Sequence, residues 1–168
     1  SVIHSDAFCC SLIEYLSFPA TVTTIENRAF GYCKKLMSVY FPNNSQLQII
    51  EDEAFTKTFL YTVLIPSKVK YIGKNAFSEC KKLFSVEFQN DSELKVIDDM
   101  AFKGTSLIQI SIPPHVIKIG NLAFIDCQQL QIIEISEKSQ LKSLSNNIIN
   151  EFSFTIIMIP SELHICII

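Results

Sequence analysis

Hydrophobic and polar positions alternate along this chain in short runs that repeat. Residues 29–41 read AFGYCKKLMSVYF and residues 76–88 read AFSECKKLFSVEF, the same pattern 47 residues on. Within the second copy Val86 and Phe88 lie two apart and point to one side of a short strand, while Ser85 and Glu87 point to the other. Equivalent inward pairs predict further strands at Leu16/Phe18, Val39/Phe41, Val63/Ile65, Ile110/Ile112, Ile133/Ile135 and Ile157/Ile159. A strand this short cannot bury its apolar side alone, but stacked in parallel on its neighbours it adds one rung to a continuous core. Pro19, Pro42, Pro66, Pro113 and Pro160 follow most of these strands, where a missing N–H does least harm.

The period is fixed by an Ala-Phe anchor at Phe8, Phe30, Phe55, Phe77, Phe102 and Phe124, spaced 22, 25, 22, 25 and 22 apart, with a degraded seventh at Ile149. Cys33, Cys80 and Cys127 lie 47 apart, as do Ser45, Ser92 and Ser139, so two subtypes alternate. The longer runs AFxxCxxLxxVxF into a loop ending SxL (NNSQL, NDSEL, EKSQL). The shorter continues PxxVxxI (PATVTTI, PSKVKYI, PPHVIKI and a worn PSELHIC). A period in the low to middle twenties around Leu-x-x-Val-x-Ile is the spacing of leucine-rich repeats. The expectation is an α/β repeat solenoid, a horseshoe with parallel strands on its concave face and short helical or irregular segments opposite. Residues 1–168 then form one domain of about seven coils. Each Ala-Phe segment is expected to make a short helical turn, with acids before it (Glu51, Asp52, Glu53; Asp98, Asp99) and lysines after it (Lys34, Lys35; Lys81, Lys82).

The motif AFxxCxxLxxIxIPxxVxxIGxxAF, with YIGKNAF and KIGNLAF matching its second half, resembles the BspA-type leucine-rich repeat family over nearly the whole chain. The resemblance implies a surface protein that adheres to host matrix proteins or to other cells. It supplies no catalytic residue.

Composition narrows the chemistry. A formal net charge of −3 gives no basic surplus for a phosphate backbone, so nucleic acid is not an expected partner. No apolar run reaches the roughly 18 residues of a membrane span. SVIHSDAFCC shows no signal peptide, and a chain that starts at Ser1 and stops mid-pattern at Ile168 is expected to be a piece of a longer repeat protein. Cys33, Cys80 and Cys127 share one repeat position and are expected inside as small apolar residues; alternation holds them too far apart for a disulfide. Cys166 stands where Ile25, Ile72 and Ile119 stand and reads as core, while Cys9 and Cys10 are vicinal near the start. His4, His115 and His164 recur at no common position, so no metal, no cofactor and no enzyme activity are expected. The paired lysines, with Gln128 and Gln129 at the third equivalent site, read as a solvated face and not as a polyanion site.

Two columns of outward residues are candidates for partner binding: Tyr15, Ser38, Thr62, Ser85 and Gln109 in the first, Tyr40, Leu64, Glu87 and Glu134 in the second. Ile132, Ile156 and Met158 extend them as an apolar corner that predicts end-to-end self-association. Asn43 and Asn90 head equivalent Asn-x-Ser sequons and are candidate glycosylation sites, or simply turn residues. The leading expectation is a cell-surface or secreted module that binds a protein ligand, such as an extracellular matrix protein or another surface protein. An intracellular scaffold in the cytoplasm and a self-associating structural array are the alternatives.

Overall fold

The computed structural model describes residues 1–141, 143–149, 156–158 and 164–166. Among these residues fifteen short strands follow one another: Val2–Ile3 (β1), Tyr15–Ser17 (β2), Thr24–Ile25 (β3), Ser38–Tyr40 (β4), Ile49–Ile50 (β5), Thr62–Ile65 (β6), Tyr71–Ile72 (β7), Ser85–Phe88 (β8), Val96–Ile97 (β9), Gln109–Ile112 (β10), Lys118–Ile119 (β11), Ile132–Ile135 (β12), Ser143–Ser145 (β13), Ile156–Met158 (β14) and His164–Cys166 (β15). Every pairing between them is parallel, so the chain winds as a solenoid.

Each coil lays a strand on two faces. On one, β2–β4, β6–β8 and β10–β12–β14 pair in register, Val63 opposite Val86 and Ile110 opposite Ile133. On the other, β1, β3, β5, β7, β9 and β11 make an unbroken six-stranded sheet from the PxxVxxI and SxL segments. Each of these strands sends one residue inward, as Ile25, Ile50, Ile72 and Ile97 do with no exposure at all. The inward pairs of the first face are buried as expected, except that Leu16 and Phe88 are half-buried. Ile157 pairs with Ile133 in β14, while its side chain and the whole of Ile159 lie outside the described residues.

The anchor phenylalanines from Phe30 to Phe124 form the spine of the interior, and Phe8, 40% exposed, stacks on its first ring. Rings of Phe8, Phe30, Phe55, Phe77, Phe102 and Phe124 stack in sequence at 5.2, 5.4, 5.3, 5.4 and 5.7 Å, within 8° of parallel. The repeat holds every ring in one place, and the coil spacing brings each into offset contact with the next. Beside this stack runs a polar column that alternates with the subtypes: Ser11, Cys33, Thr58, Cys80, Thr105 and Cys127, each three residues after its phenylalanine. The thiols of Cys33, Cys80 and Cys127 donate to the carbonyls of Phe8, Phe55 and Phe102 at 3.0, 3.0 and 3.1 Å. They also meet the hydroxyls of Ser11, Thr58 and Thr105 at 3.3, 3.1 and 3.2 Å. All three are free thiols. Burial pushes the Cys80 thiol up to about 11 and moves Cys127 the same way.

The expected helical turn at Ala-Phe does not form. One turn of 3-10 helix at Asn146–Ile148 is the only helix among the described residues. The anchor segment is instead a run of overlapping β-turns: around Phe77, the N–H groups of Ala76, Ser78 and Cys80 reach the carbonyls of Gly73, Asn75 and Phe77. The intervening N–H groups of Asn75, Phe77 and Glu79 point along the solenoid to Asp99, Ala101 and Lys103 of the next coil. A helix would turn all donors beyond its first turn back into its own coil, whereas this arrangement bonds alternate N–H groups between coils. It requires left-handed backbone two residues before and two after most anchors, as at Asn75 (φ 55) and Glu79 (φ 58).

The acids ahead of the anchor accordingly serve no helix dipole; they accept backbone N–H groups from neighbouring coils. Glu51 takes Asn27 at 3.0 Å, Asp52 takes Lys74 at 2.9 Å and Asp99 takes Asn121 at 2.8 Å. Gly73 lies so close beneath that a Cβ there would stand 2.6 Å from the Glu51 carbonyl carbon.

Candidate protein-binding face

Strand alternation turns both predicted columns outward. Tyr15 and Tyr40 are 68% and 58% exposed and Leu64 is 43% exposed. Ser38, Thr62, Gln109, Glu87 and Glu134 are exposed, and Ser85 is half-buried. In register, Tyr15 stands opposite Ser38, Ser17 opposite Tyr40, Thr62 opposite Ser85 and Leu64 opposite Glu87. Ser111 donates from its hydroxyl to Glu134 at 2.7 Å, which orients that carboxylate on the face. Of the expected apolar corner, Ile132 is half-buried, and the side chains of Ile156 and Met158 lie outside the described residues.

The face is interrupted between β4 and β6 and between β8 and β10. At each break the coils stay joined where the strands begin, through Tyr61 N–H to the Met37 carbonyl at 3.2 Å and Ile108 N–H to Phe84 at 3.4 Å. The break after β8 widens into a groove of about 550 Å³ lined by residues 85–92 and 109–115. Each break follows a longer coil, ending NNSQL or NDSEL, although the third longer coil, ending EKSQL, leads to the paired β12–β14 step.

One set of residues was missed by the alternation argument. Tyr61, Phe84 and Ile108 enter consecutive strands and are 45%, 45% and 48% exposed, a contiguous apolar strip beside the two columns. The signal was available: the position before the first outward residue reads Glu14, Met37, Tyr61, Phe84, Ile108 and Gln131.

Asn43 and Asn90 are exposed in their loops. The sequon serines are not: Ser45 and Ser92 are buried, and their hydroxyls accept the N–H groups of Leu47 and Leu94 at 3.3 and 3.4 Å. They close the turn, as Ser139 does with Leu141 at 3.1 Å.

Two clusters of titratable groups lie away from the face. Burial acts to raise the Asp98 carboxyl, but hydrogen bonds from Lys118 at 2.8 Å and Tyr71 at 2.8 Å outweigh it and hold the group below the usual carboxylate range. The same contact with Asp98 holds the Lys118 ammonium above its ordinary value. At the first coil, the Arg28 guanidinium grips Asp6 and lowers its carboxyl, and Cys9 and Cys10 sit with their sulfurs 3.6 Å apart. Among the described residues no three of His, Cys, Asp and Glu gather as metal ligands, and no helix is long and apolar enough to cross a membrane.

Parallel strands in short repeated coils, with one anchor phenylalanine per coil inside and an open strand face outside, define a leucine-rich repeat solenoid. The chain belongs to the family described as BspA type leucine rich repeat region, whose model matches in six copies over residues 1–94 and 95–166. Solved structures of the same fold include the pneumococcal vaccine antigen PcpA, at 20% identity and a TM-score of 0.70 over 98% of this chain. A leucine-rich repeat protein of T. pallidum aligns at 22% identity and 0.65, also over 98%. A leucine rich cell surface protein from Faecalibacterium prausnitzii aligns at 30% identity and 0.59 over 83%. The chain spans 57%, 65% and 43% of those three proteins. No curated protein matches the sequence.

Proposed function

We propose that this chain is a non-catalytic recognition module that binds a protein ligand through the outward face of β2, β4, β6, β8, β10 and β12. The observation that carries the reading is the exposure of Tyr15, Tyr40 and Leu64 on a pre-formed strand surface. Aromatic residues that combine contact area with a hydroxyl are favoured at interfaces, and a rigid solenoid presents them without an ordering cost. Glu87 and Glu134 bias the face toward a partner with basic groups, and Ser38, Thr62, Ser85 and Gln109 supply hydrogen bonds around the aromatic positions. A cell-surface location, the place named for the F. prausnitzii relative, or secretion belongs to the same proposal. So does adhesion to a matrix protein or another surface protein, and so does glycan attachment at Asn43 and Asn90 if a eukaryote secretes the chain.

The test is a binding array of purified matrix and surface proteins, followed by Tyr40→Ala on any ligand found. Loss of a central tyrosine is expected to weaken binding about tenfold or more while the melting temperature stays within a few degrees. An unchanged affinity removes the site from this face.

A further inference from the structure

The turn edge of the solenoid carries a feature unrelated to the strand face. Lys34, Lys57, Lys81 and Lys103, from four consecutive coils, line a cavity of about 510 Å³ together with Phe59 and Glu79. In the sequence only the pairs at Lys34 and Lys81 occupy an equivalent repeat position, with an apparent gap between them. Lys57 follows its anchor by two residues and Lys103 by one, so repeat alignment does not connect them; stacking of the coils fills the gap.

The local charge runs against that of the molecule. Four ammonium groups meet one lining carboxylate, Glu79, in a chain of net charge −3. Among the described residues only Lys81 of the four has a carboxylate at ion-pair distance, Glu79 at 3.6 Å. Lys57 lies 5.0 Å above the Tyr32 ring, which steadies it without neutralising it. Phe59 stands among the lysines 43% exposed, an apolar platform inside a cationic cleft. The cleft adjoins a smaller cavity of about 260 Å³ that shares Glu79 and Lys81 and is bordered by Asp126, Gln128 and Gln129. The positive region therefore spans about four coils and stops.

We infer that this cleft is a second binding site, for a short stretch of sulfated or otherwise polyanionic polysaccharide. Four cations at coil spacing suit anionic groups that recur along a flexible chain, and the face of Phe59 suits the C–H face of a sugar ring. A single-stranded nucleic acid fits less well, because it stacks successive bases on successive aromatic platforms and the cleft offers one. Lysines also present point charges, without the guanidinium forks that select phosphate bidentately.

The experiment titrates the intact chain with a heparin-derived hexasaccharide at low and physiological salt. It compares a K34Q/K57Q/K81Q/K103Q variant with a K68Q/K70Q/K95Q/K138Q control of equal charge change. Expected are salt-sensitive binding by the unaltered chain, a loss of about tenfold or more in the cleft variant and little change in the control. Phe59→Ala is expected to weaken binding several-fold without changing its salt dependence. Circular dichroism checks both quadruple variants for folding, and K57Q and K103Q singly replace the cleft variant should it fail to fold. No binding, equal loss in cleft and control variants, or a matched oligoglutamate or oligothymidylate bound as tightly as the hexasaccharide would each overturn the assignment.

Discussion

Phe77 has a ring above it and a ring below it, Phe55 at 5.3 Å and Phe102 at 5.4 Å, and no exposed surface. Truncating it deletes two stacking contacts and leaves a void that adjacent coils cannot close without shifting their own strands. Phe77→Ala is expected to cost about 3–5 kcal/mol in urea denaturation, whereas Glu87→Ala, on the open face, should stay within about 0.5 kcal/mol. The cysteines separate in the same way. Cys33, Cys80 and Cys127 are buried donors to backbone carbonyls, while Cys10 is exposed at the first coil. Maleimide at neutral pH is therefore expected to modify Cys10 in the folded protein and the three core thiols only after denaturation, as read by peptide mass mapping. The core location of those thiols was legible from their shared repeat position. Their hydroxyl partners were not read, because Ser11, Thr58 and Thr105 look like ordinary loop residues until the coils are stacked.

At the scale of the element, the turn around each anchor is where the sequence reading and the structure part. Ala-Phe flanked by acids and lysines fits a short helix locally, yet a helix keeps the donors beyond its first turn within its own coil. With half its N–H groups bonded between coils, the turn run satisfies its backbone and keeps the phenylalanines in line. Gly73 is needed there for close approach, and Gly73→Ala is expected to cost about 1–3 kcal/mol by pushing apart the coils of Glu51 and Lys74, measured by thermal melting. The Tyr71–Asp98–Lys118 contact ties three successive coils from the outside, and its contribution depends on pH. Because the folded Asp98 carboxyl lies below its unfolded value, its stabilisation is complete above about pH 4 and is lost as pH falls through the folded value. The raised Lys118 ammonium sets the opposite limit, its share fading only as pH climbs beyond the ordinary lysine value of about 10.4. Asp98→Ala is expected to lose about 1–2 kcal/mol at pH 7, a deficit that narrows below pH 4 when unfolding is followed across pH.

For the whole molecule, the sequence by itself determined the period, the alternation of two coil lengths, the inward residues of the first strand face and the family. Each follows from a local regularity, since a strand's period of two and a coil's 22 or 25 residues are visible without any long-range contact. The outward positions of Tyr15, Tyr40 and Leu64 came from the same rule. The tertiary structure decided what depends on stacking one coil upon another. The second, six-stranded sheet rests on two-residue strands too short to announce themselves by alternation. The breaks in the strand face and the groove after β8 depend on which coils pair with which, and the two steps that break have the same length as the β12–β14 step that pairs. The polar column of alternating hydroxyls and thiols joins residues 22 or 25 positions apart. Lys57 and Lys103 reach the cleft between Lys34 and Lys81 from positions that no repeat alignment equates. A repeat dictates where a residue sits within its own coil; which residues from other coils it meets is settled only when parallel pairing fixes the step from one coil to the next.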